Sequence, residues 1–141
     1  ELASMNFIKS YQNVIVSGCT GSGKSFAIQA LGNRAIENGY RTYYIRVPTL
    51  LEEIKIARAT GTYINTLKKY QRFQLLILDD FGISQMSSDD AINLLEILED
   101  RVQVNSTIIA SQLPVANWYE YNQQSKKLMK FNKHSYTMVQ F

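Results

Sequence analysis

One octapeptide near the start of the chain, Gly18–Ser25, constrains the fold more than any other part of the sequence. It reads Gly-Cys-Thr-Gly-Ser-Gly-Lys-Ser, which matches the phosphate-binding pattern GxxxxGK[ST], and the apolar run Val14–Val16 leads directly into it. Glycines at these positions let the backbone curl around phosphate oxygens without interference from a Cβ atom. The pattern therefore predicts a strand, a phosphate-binding loop and a helix, in that order.

The residue types within the octapeptide suit a nucleoside triphosphate. We expect Lys24 to neutralise charge on the β and γ phosphates and Ser25 to ligate Mg²⁺. The helix that begins there adds the positive end of its dipole. The predicted nucleotide-binding residues are Gly18, Cys19, Thr20, Gly21, Ser22, Gly23, Lys24, Ser25 and Phe26. A glycine-rich turn without a ligand is the alternative interpretation.

Length and composition indicate one globular domain. The chain has 141 residues, 45% of them hydrophobic, and we predict that residues 1–141 form a single domain. The longest uninterrupted apolar run, Leu75–Leu78, is too short to span a bilayer, and the N-terminus lacks the pattern of a signal peptide. The single cysteine, Cys19, cannot form an internal disulfide, so we expect a cytoplasmic protein without membrane contacts.

Charged residues are segregated along the chain. The net charge is +3, but residues 1–120 contain 11 basic and 12 acidic residues, so the basic excess belongs to residues 121–141. Seven basic residues lie between 41 and 72, whereas seven acids lie between 79 and 100. The basic residues nominated for phosphate contacts with DNA are Lys55, Arg58, Lys68, Lys69 and Arg72. A solvated helix surface without a partner is the alternative.

A second motif, Leu75–Gly82, places two carboxylates directly after four apolar residues. This pattern predicts a buried parallel strand whose C-terminal end delivers the acids to the site. We expect Asp79 to hold Mg²⁺ through its water shell and Asp80 to orient or deprotonate the attacking water. Two acids after an apolar run can also mark a simple turn, but the upstream phosphate-binding pattern favours the functional interpretation.

Helices and one strand are predicted between the two motifs. Thr42–Arg46 resembles a strand, a helix follows Pro48, Gly61 interrupts it, and Ile64–Tyr70 resumes helix. The apolar residues expected to face the core are Leu50, Leu51, Ile54, Ile56 and Ala57 in this region. In the helix after the phosphate-binding loop, predicted over 26–38 with Gly39 as its C-cap, they are Phe26, Ala27, Ala30, Leu31 and Ile36.

A further helix and strand follow the second motif. Ser87–Asp90 is predicted to cap a helix, and Thr107–Ala110 is predicted to form another buried strand. The apolar face of the helix is expected to comprise Ala91, Ile92, Leu94, Leu95, Ile97, Leu98 and Val102. Ser111 and Gln112 stand at the end of the strand, where either can sense the γ-phosphate or hold the lytic water. A strand-end turn before Pro114 is the alternative.

Longer segments resemble one known family, the IstB-like ATP-binding proteins. These are ATPase partners of insertion-sequence transposases, allied to helicase loaders and initiators of the AAA+ class. The segments that carry the resemblance are Gly18–Ser25 with Leu31-Gly32-Asn33, Arg41–Pro48 with Leu50–Glu53, Leu75–Gly82, Leu94–Arg101 and Ser106–Trp118. The Leu-Leu-Glu-Glu helix and the Ser-Gln-Leu-Pro segment Ser111–Pro114 specify the family. The phosphate-binding loop and the acidic strand are shared by many NTPases and specify little beyond nucleotide use.

The resemblance implies a three-layer α/β fold with a parallel sheet of about five strands. It implies binding and hydrolysis of ATP with Mg²⁺, ATP-dependent assembly of an oligomer on duplex DNA, and support of a transposase. The implied site residues are Lys24, Ser25, Asp79, Asp80 and either Ser111 or Gln112. Two alternatives stay open: an ATPase that loads a helicase, and a nucleotide-dependent DNA-binding scaffold with negligible hydrolysis.

The sequence departs from the family pattern at both ends. Few residues precede Val14, so we expect the N-terminal helical segment and the lid of related proteins to be missing or truncated. Residues 121–141 diverge, and Lys130 stands near the place of an arginine that reaches the neighbouring subunit. Lysine lacks the planar fork of arginine, so we expect weak hydrolysis. His134 is expected at the surface, and 135–141 is predicted to form the last strand.

Overall fold

The computed structural model describes residues 2–19, 21–82, 86–112 and 136–140. The expectations for Thr20, Lys130 and His134 concern residues outside these ranges. The strands are β1 (Asn13–Ser17), β2 (Thr42–Arg46), β3 (Leu75–Phe81), β4 (Ser106–Ser111) and β5 (Tyr136–Gln140). The helices are α1 (Asn6–Lys9), α2 (Lys24–Glu37), α3 (Val47–Thr60), α4 (Tyr63–Arg72) and α5 (Ser88–Arg101), and a short 3₁₀ turn spans Leu2–Ser4.

All five strands pair in parallel in a single sheet with the order β2-β3-β4-β1-β5. Strand β4 therefore lies between β1, which leads into the phosphate-binding loop, and β3, which ends in the acids. Strand β5 pairs with β1 along its whole length, which confirms the predicted last strand. Because the strands are parallel, their C-terminal ends meet at one edge of the sheet, where ligands bind in folds of this kind.

Alternate residues of each inner strand pack on opposite faces of the sheet. In β1, Val14 and Val16 belong to a core shared with α1 and α2, whereas Ile15 belongs to a core shared with α3, α4 and α5. Strand β3 divides in the same way, with Leu75 and Ile77 on the first side. Burial on both faces explains why these strands are nearly continuous apolar runs. The predicted three-layer α/β architecture is confirmed.

Helix α2 buries a different face from the one that its apolar pattern predicts. Phe26 and Ile36 are 81% and 58% exposed, so their expected place in the core was wrong. The residues that α2 buries are Lys24, Ile28, Gly32 and Ala35. A Cβ atom at Gly32 would lie 3.0 Å from Cδ1 of Ile77, so helix and sheet approach closely there. Small residues make this contact, and a count of apolar side chains does not detect them.

Helices α3 and α5 bury most of their predicted apolar residues. Those confirmed as buried are Leu50, Ile54, Ala57, Ala91, Leu94, Ile97 and Leu98. Ile56 and Ile92 were predicted wrongly, since they are 57% and 48% exposed. Each is adjacent in sequence to a buried alanine, and consecutive residues of a helix point about 100° apart. Val102 is the C-cap of α5, with extended backbone angles, and so does not continue the buried face.

Sequence-predicted helix ends agree with the structure. The side chain of Ser87 accepts a hydrogen bond from the backbone of Asp90, whose side chain accepts one from the backbone of Ser87. Gly61 ends α3 with φ of 78°, a left-handed conformation that suits glycine. Pro48 lies in the first turn of α3, where no backbone donor is needed.

Among the described residues, no helix has the length and apolar character to cross a membrane.

Candidate nucleotide-binding site

The loop between β1 and α2 has the backbone conformation that its glycines permit. Gly21 and Gly23 have φ of 86° and 90°, which a residue with a Cβ atom adopts only with strain. The backbone N–H of Gly18 donates to the carbonyl of Ser111 at 3.1 Å, which ties the start of the loop to the end of β4. The loop is therefore held against the sheet edge, with its two left-handed glycines exposed to solvent.

Lys24 is buried at the start of α2 without a partner among the described residues. It is 4% exposed, and no hydrogen bond or ion pair joins its ammonium group to another residue in that part of the chain. The side-chain oxygen of Ser22 is likewise buried and unpaired there. A bound anion would supply a partner to the ammonium group of Lys24, so the loop fits a polyphosphate.

A cleft of about 360 Å³ opens at this loop. Its lining residues are Cys19, Gly21, Gly23, Lys24, Ser25, Phe26 and Gln112. The exposed ring of Phe26 is thus a wall of the cleft rather than part of the core. Gln112 reaches the cleft from the end of β4, so the structure brings it together with the loop as the sequence predicted.

Ser111 is oriented away from a sensing role. It is fully buried, and its hydroxyl donates to the carbonyl of Phe81 at 3.1 Å. This hydrogen bond links the end of β4 to the end of β3. Of the two residues predicted as sensors, Gln112 is the one whose side chain is available to a ligand, and Ser111 holds the two strands together.

The two acids at the end of β3 differ in environment. Asp79 is 3% exposed and accepts a hydrogen bond from the backbone N–H of Asp80 at 2.8 Å. Asp80 is partly exposed and has φ of 61°, a left-handed conformation that aspartate tolerates better than most residues. The register with β4 is interrupted between Leu78 and Phe81, so the chain bends where the acids lie.

Strand β2 supplies a partner to each acid. The hydroxyl of Tyr44 donates to Asp79, and the guanidinium of Arg46 forms an ion pair with Asp80. Burial and the hydrogen bond to Asp79 raise the pKa of the Tyr44 hydroxyl well above its usual range, so this hydroxyl stays a donor. Sequence analysis missed both partners. Both contacts depend on β2 lying beside β3 in the sheet, which the sequence pattern does not reveal.

The donor set suits Mg²⁺ held jointly by protein and nucleotide. No cluster of three or more His, Cys, Asp or Glu side chains that could hold a metal ion occurs in the described part of the chain. Magnesium in nucleotide sites is commonly bound through one or two protein groups together with phosphate oxygens and water. Asp79 and the exposed hydroxyl of Ser25 are residues of the required type.

Two of the basic residues nominated for DNA contacts have partners within the protein. Nε and Nη2 of Arg58 donate to Oδ1 of Asn93 at 3.1 and 2.7 Å, and its guanidinium lies 3.8 Å from the ring centre of Tyr63. Lys69 forms an ion pair of 3.2 Å with Glu53. Arg58 and Lys69 therefore join helices of the protein to one another, which makes them weaker candidates for DNA contacts. The remaining nominated residues, Lys55, Lys68 and Arg72, are exposed.

The fold and this site define the class of protein. A parallel sheet with a glycine-rich loop between β1 and α2 and two acids at the C-terminal end of β3 is the arrangement of P-loop nucleotide-binding proteins. The structure is similar to the replication initiator DnaA bound to AMPPCP and single-stranded DNA, with a TM-score of 0.82, 21% identity and coverage of 99% of this chain and 44% of that one. It is also similar to the DnaC helicase loader, with a TM-score of 0.83, 18% identity and coverage of 99% and 86%.

Sequence comparison identifies the family. Residues 1–130 match the family described as IstB-like ATP binding protein. The ATP-binding protein of insertion sequence IS1162 from Pseudomonas fluorescens is 40% identical over 113 residues, which cover 80% of this chain and 49% of that protein. The chain belongs to the IstB-like ATP binding protein family, as the sequence resemblance predicted. It spans about half the length of the curated relatives that it matches.

Proposed function

We propose that this chain binds and hydrolyses ATP with Mg²⁺ in the Lys24 cleft, and that it thereby assembles on DNA in the cytoplasm as a helper of an insertion-sequence transposase. The observation that carries the proposal is Lys24, which is 4% exposed, lines an open cleft of about 360 Å³ and has no hydrogen-bond or ion-pair partner among the described residues. Relatives named as ATP-binding proteins of insertion sequences support the biological context. The DnaA neighbour, which is bound to AMPPCP and single-stranded DNA, supports a nucleotide and a nucleic acid as ligands.

Each residue at the sheet edge has a role in this proposal. Lys24 and the loop amides bind the phosphates, and Ser25 with Asp79 would hold Mg²⁺, which neutralises charge on the phosphates when bound. Asp80 orients the attacking water and accepts its proton. Gln112 contacts the γ-phosphate from β4. We propose that residues 1–141 act as one domain in this function.

Replacing Lys24 tests nucleotide binding directly. We expect Lys24→Ala to weaken ATP binding by roughly tenfold to a hundredfold, because hydrogen bonds to charged groups contribute about 1.5–3 kcal/mol. Isothermal titration calorimetry of ATP with Mg²⁺ measures the change. Arg34→Ala is the matched control, since Arg34 is an exposed cation on the same helix. Equal affinity of the Lys24 variant and the parent chain would contradict the assignment.

Assembly is a separate part of the proposal. Size-exclusion chromatography of the chain with ATP, in the presence and absence of duplex DNA, tests it. We expect a larger species when both ligands are present. A monomer under every condition would remove ATP-dependent assembly from the proposed function while leaving ATP binding intact.

One observation favours a second candidate, a nucleotide-dependent DNA-binding scaffold with negligible hydrolysis. Asp80, the residue assigned to the attacking water, is engaged by Arg46. A carboxylate held by a guanidinium must leave that partner before it can hold the attacking water. Single-turnover hydrolysis separates the candidates, because a scaffold binds ATP without releasing phosphate, with or without DNA.

A further inference from the structure

Cys19 is the single cysteine of the chain, and it lies within the phosphate-binding loop. Its side chain is exposed and lines the same cleft as Lys24, Ser25 and Gln112. Exposed thiols are accessible to disulfides and other electrophiles, whereas buried structural thiols are inert. Any group attached to the sulfur of Cys19 would therefore stand at the mouth of the nucleotide site.

A second observation indicates which reagents this thiol would meet. Lys24, which is 4% exposed, lines the cleft and has no hydrogen-bond or ion-pair partner among the described residues. A cleft lined by one sign of charge raises the local concentration of small ions of the opposite sign. Negatively charged reagents are therefore drawn to the cleft in which Cys19 lies, as phosphates are.

We infer that Cys19 is a covalent modification site for small anionic disulfides, and that the mixed disulfide excludes ATP from the cleft. This inference rests on the proposed function and adds a mode of regulation to the same site. The tripeptide disulfide of glutathione has the required chemistry, since it is small, carries net negative charge and exchanges with thiols.

The reaction is a thiol–disulfide exchange that balances without a further oxidant. The thiolate of Cys19 attacks one sulfur of the disulfide, a new S–S bond forms to Cys19, and the S–S bond of the reagent breaks. The second half of the reagent leaves as a thiolate, which takes up the proton lost by Cys19. Cys19 is oxidised, and the departing half is reduced. An excess of a small dithiol reverses the exchange.

The modified site is unsuited to a triphosphate for two reasons. A tripeptide attached to Cys19 fills much of a cleft of about 360 Å³. Its carboxylates also lie close to the ammonium group of Lys24, and so compete with the phosphates of ATP for this positive charge. Steric exclusion and like-charge repulsion act in the same direction.

The first experiment measures how fast Cys19 reacts. The chain is treated with the dianionic disulfide dithiobis(nitrobenzoate) or with the uncharged disulfide dithiodipyridine, and each rate is divided by that of a free cysteine peptide. We expect the normalised rate to be roughly tenfold higher for the anionic reagent, and this preference to fall with added salt. Saturating ATP with Mg²⁺ should slow both reactions. Equal normalised rates together with no protection by ATP would overturn the inference.

The second experiment measures ATP binding before and after modification. The glutathione adduct of Cys19 should lose ATP affinity at least tenfold and regain it with dithiothreitol, whereas the small methylthio adduct from methyl methanethiosulfonate should lose much less. Full ATP affinity in the glutathione adduct would overturn the inference and leave the proposed function intact. If both adducts lost ATP affinity equally, filling of the cleft by the tripeptide would be excluded as the cause, and the inference would fail. Absence of ATP binding by the unmodified chain would instead overturn the proposed function.

Discussion

Arg46 and Asp80 form a contact at the candidate site that bears directly on the proposed hydrolysis. Arg46 is an exposed residue at the end of β2, and its guanidinium engages the carboxylate assigned to the attacking water. The attraction of Asp80 raises the pKa of Arg46 further above its already high value, so the cation persists at any working pH. Asp80 must exchange this partner for a water molecule before it can accept a proton.

Releasing Asp80 should raise the rate of hydrolysis. We expect Arg46→Ala to increase single-turnover hydrolysis of ATP several-fold, because the carboxylate of Asp80 is then free to hold the attacking water. Phosphate release at saturating ATP measures the rate, with Arg41→Ala, at the other end of β2, as the control. A rate below that of the parent chain would show that Arg46 assists the reaction rather than restraining Asp80.

A second arginine, Arg101, is buried rather than exposed. Its guanidinium donates to the carbonyls of Tyr70, Phe73 and Ser106 at 2.6, 2.7 and 2.6 Å, and to the hydroxyl of Thr107 at 2.9 Å. Hydrogen bonds from one planar group thus join the end of α4 to the start of β4. A charge buried this fully is stable only when its donors are satisfied.

Removing Arg101 should destabilise the fold substantially. We expect Arg101→Met to lower the free energy of unfolding by about 3 kcal/mol or more, because two buried carbonyls and one partly buried carbonyl lose their donor. Urea denaturation followed by circular dichroism measures the change. In the control Arg41→Met, an exposed guanidinium bonded to the carbonyl of Arg72 is lost, and the expected change is below about 1 kcal/mol. Similar values for the two variants would contradict this explanation.

At the scale of elements, helix α5 begins with a capping box formed by Ser87 and Asp90. The reciprocal hydrogen bonds between Ser87 and Asp90 satisfy two backbone donors that the helix leaves unpaired. Asp89 and Asp90 also place negative charge in the first turn, where the helix dipole favours it. The helix then continues to Arg101.

Loss of the cap should be measurable in isolation. We expect Ser87→Ala to reduce the free energy of unfolding by about 1 kcal/mol, as for other N-cap substitutions. Ser88→Ala is the matched control, since Ser88 is the first residue of α5, is exposed and has no capping role. Its expected effect is within about 0.5 kcal/mol. Urea or thermal unfolding of the two variants under the same conditions measures the difference in the free energy of unfolding. Equal values for the two variants would contradict the capping role of Ser87.

The strands and helix caps were predictable from sequence because each depends on neighbouring residues. Continuous apolar runs identify buried parallel strands, and Ser87 and Gly61 mark helix ends through local hydrogen bonding and backbone freedom. The buried face of α2 was not predictable in this way. It is determined by how closely Gly32 approaches Ile77, which lies 45 positions later in the chain.

The same distinction between local and long-range contacts decides which parts of the candidate site could be predicted from sequence. The loop and the acids were recognised as motifs, and Gln112 followed from its place at the end of a strand. The engagement of Asp80 by Arg46 depends on β2 and β3 being neighbours, which the spacing of motifs does not reveal. The partners of Arg58 and Lys69 are likewise residues of other helices, Asn93 and Glu53.

At the scale of the whole molecule, exposed basic residues form a line on α4. Lys68 and Arg72 are one helical turn apart and both exposed, whereas Thr66 and Tyr70 form the buried side of the same helix. Residues four apart lie on one face of a helix. We propose this pair, out of the five nominated basic residues, as the phosphate contacts for DNA.

The salt dependence of DNA binding tests this pair. We expect Lys68→Ala combined with Arg72→Ala to weaken binding of duplex DNA and to reduce the slope of log K against log salt by about 2, since each phosphate contact contributes about 1. Fluorescence anisotropy over a salt series measures both quantities. Lys69→Ala, a cation of the same helix paired with Glu53, should leave the slope nearly unchanged. An unchanged slope in the double variant would exclude this surface.

The position of β4 between the loop strand and the acidic strand sets a length scale for the ligand. Adjacent strands lie about 4.8 Å apart, so the two ends of the site are separated by two such intervals, roughly 10 Å. Backbone ladders on both sides of β4 maintain this gap whatever side chains the loops carry. A row of three phosphates with its metal ion can touch both ends at once, whereas a single phosphate engages only one.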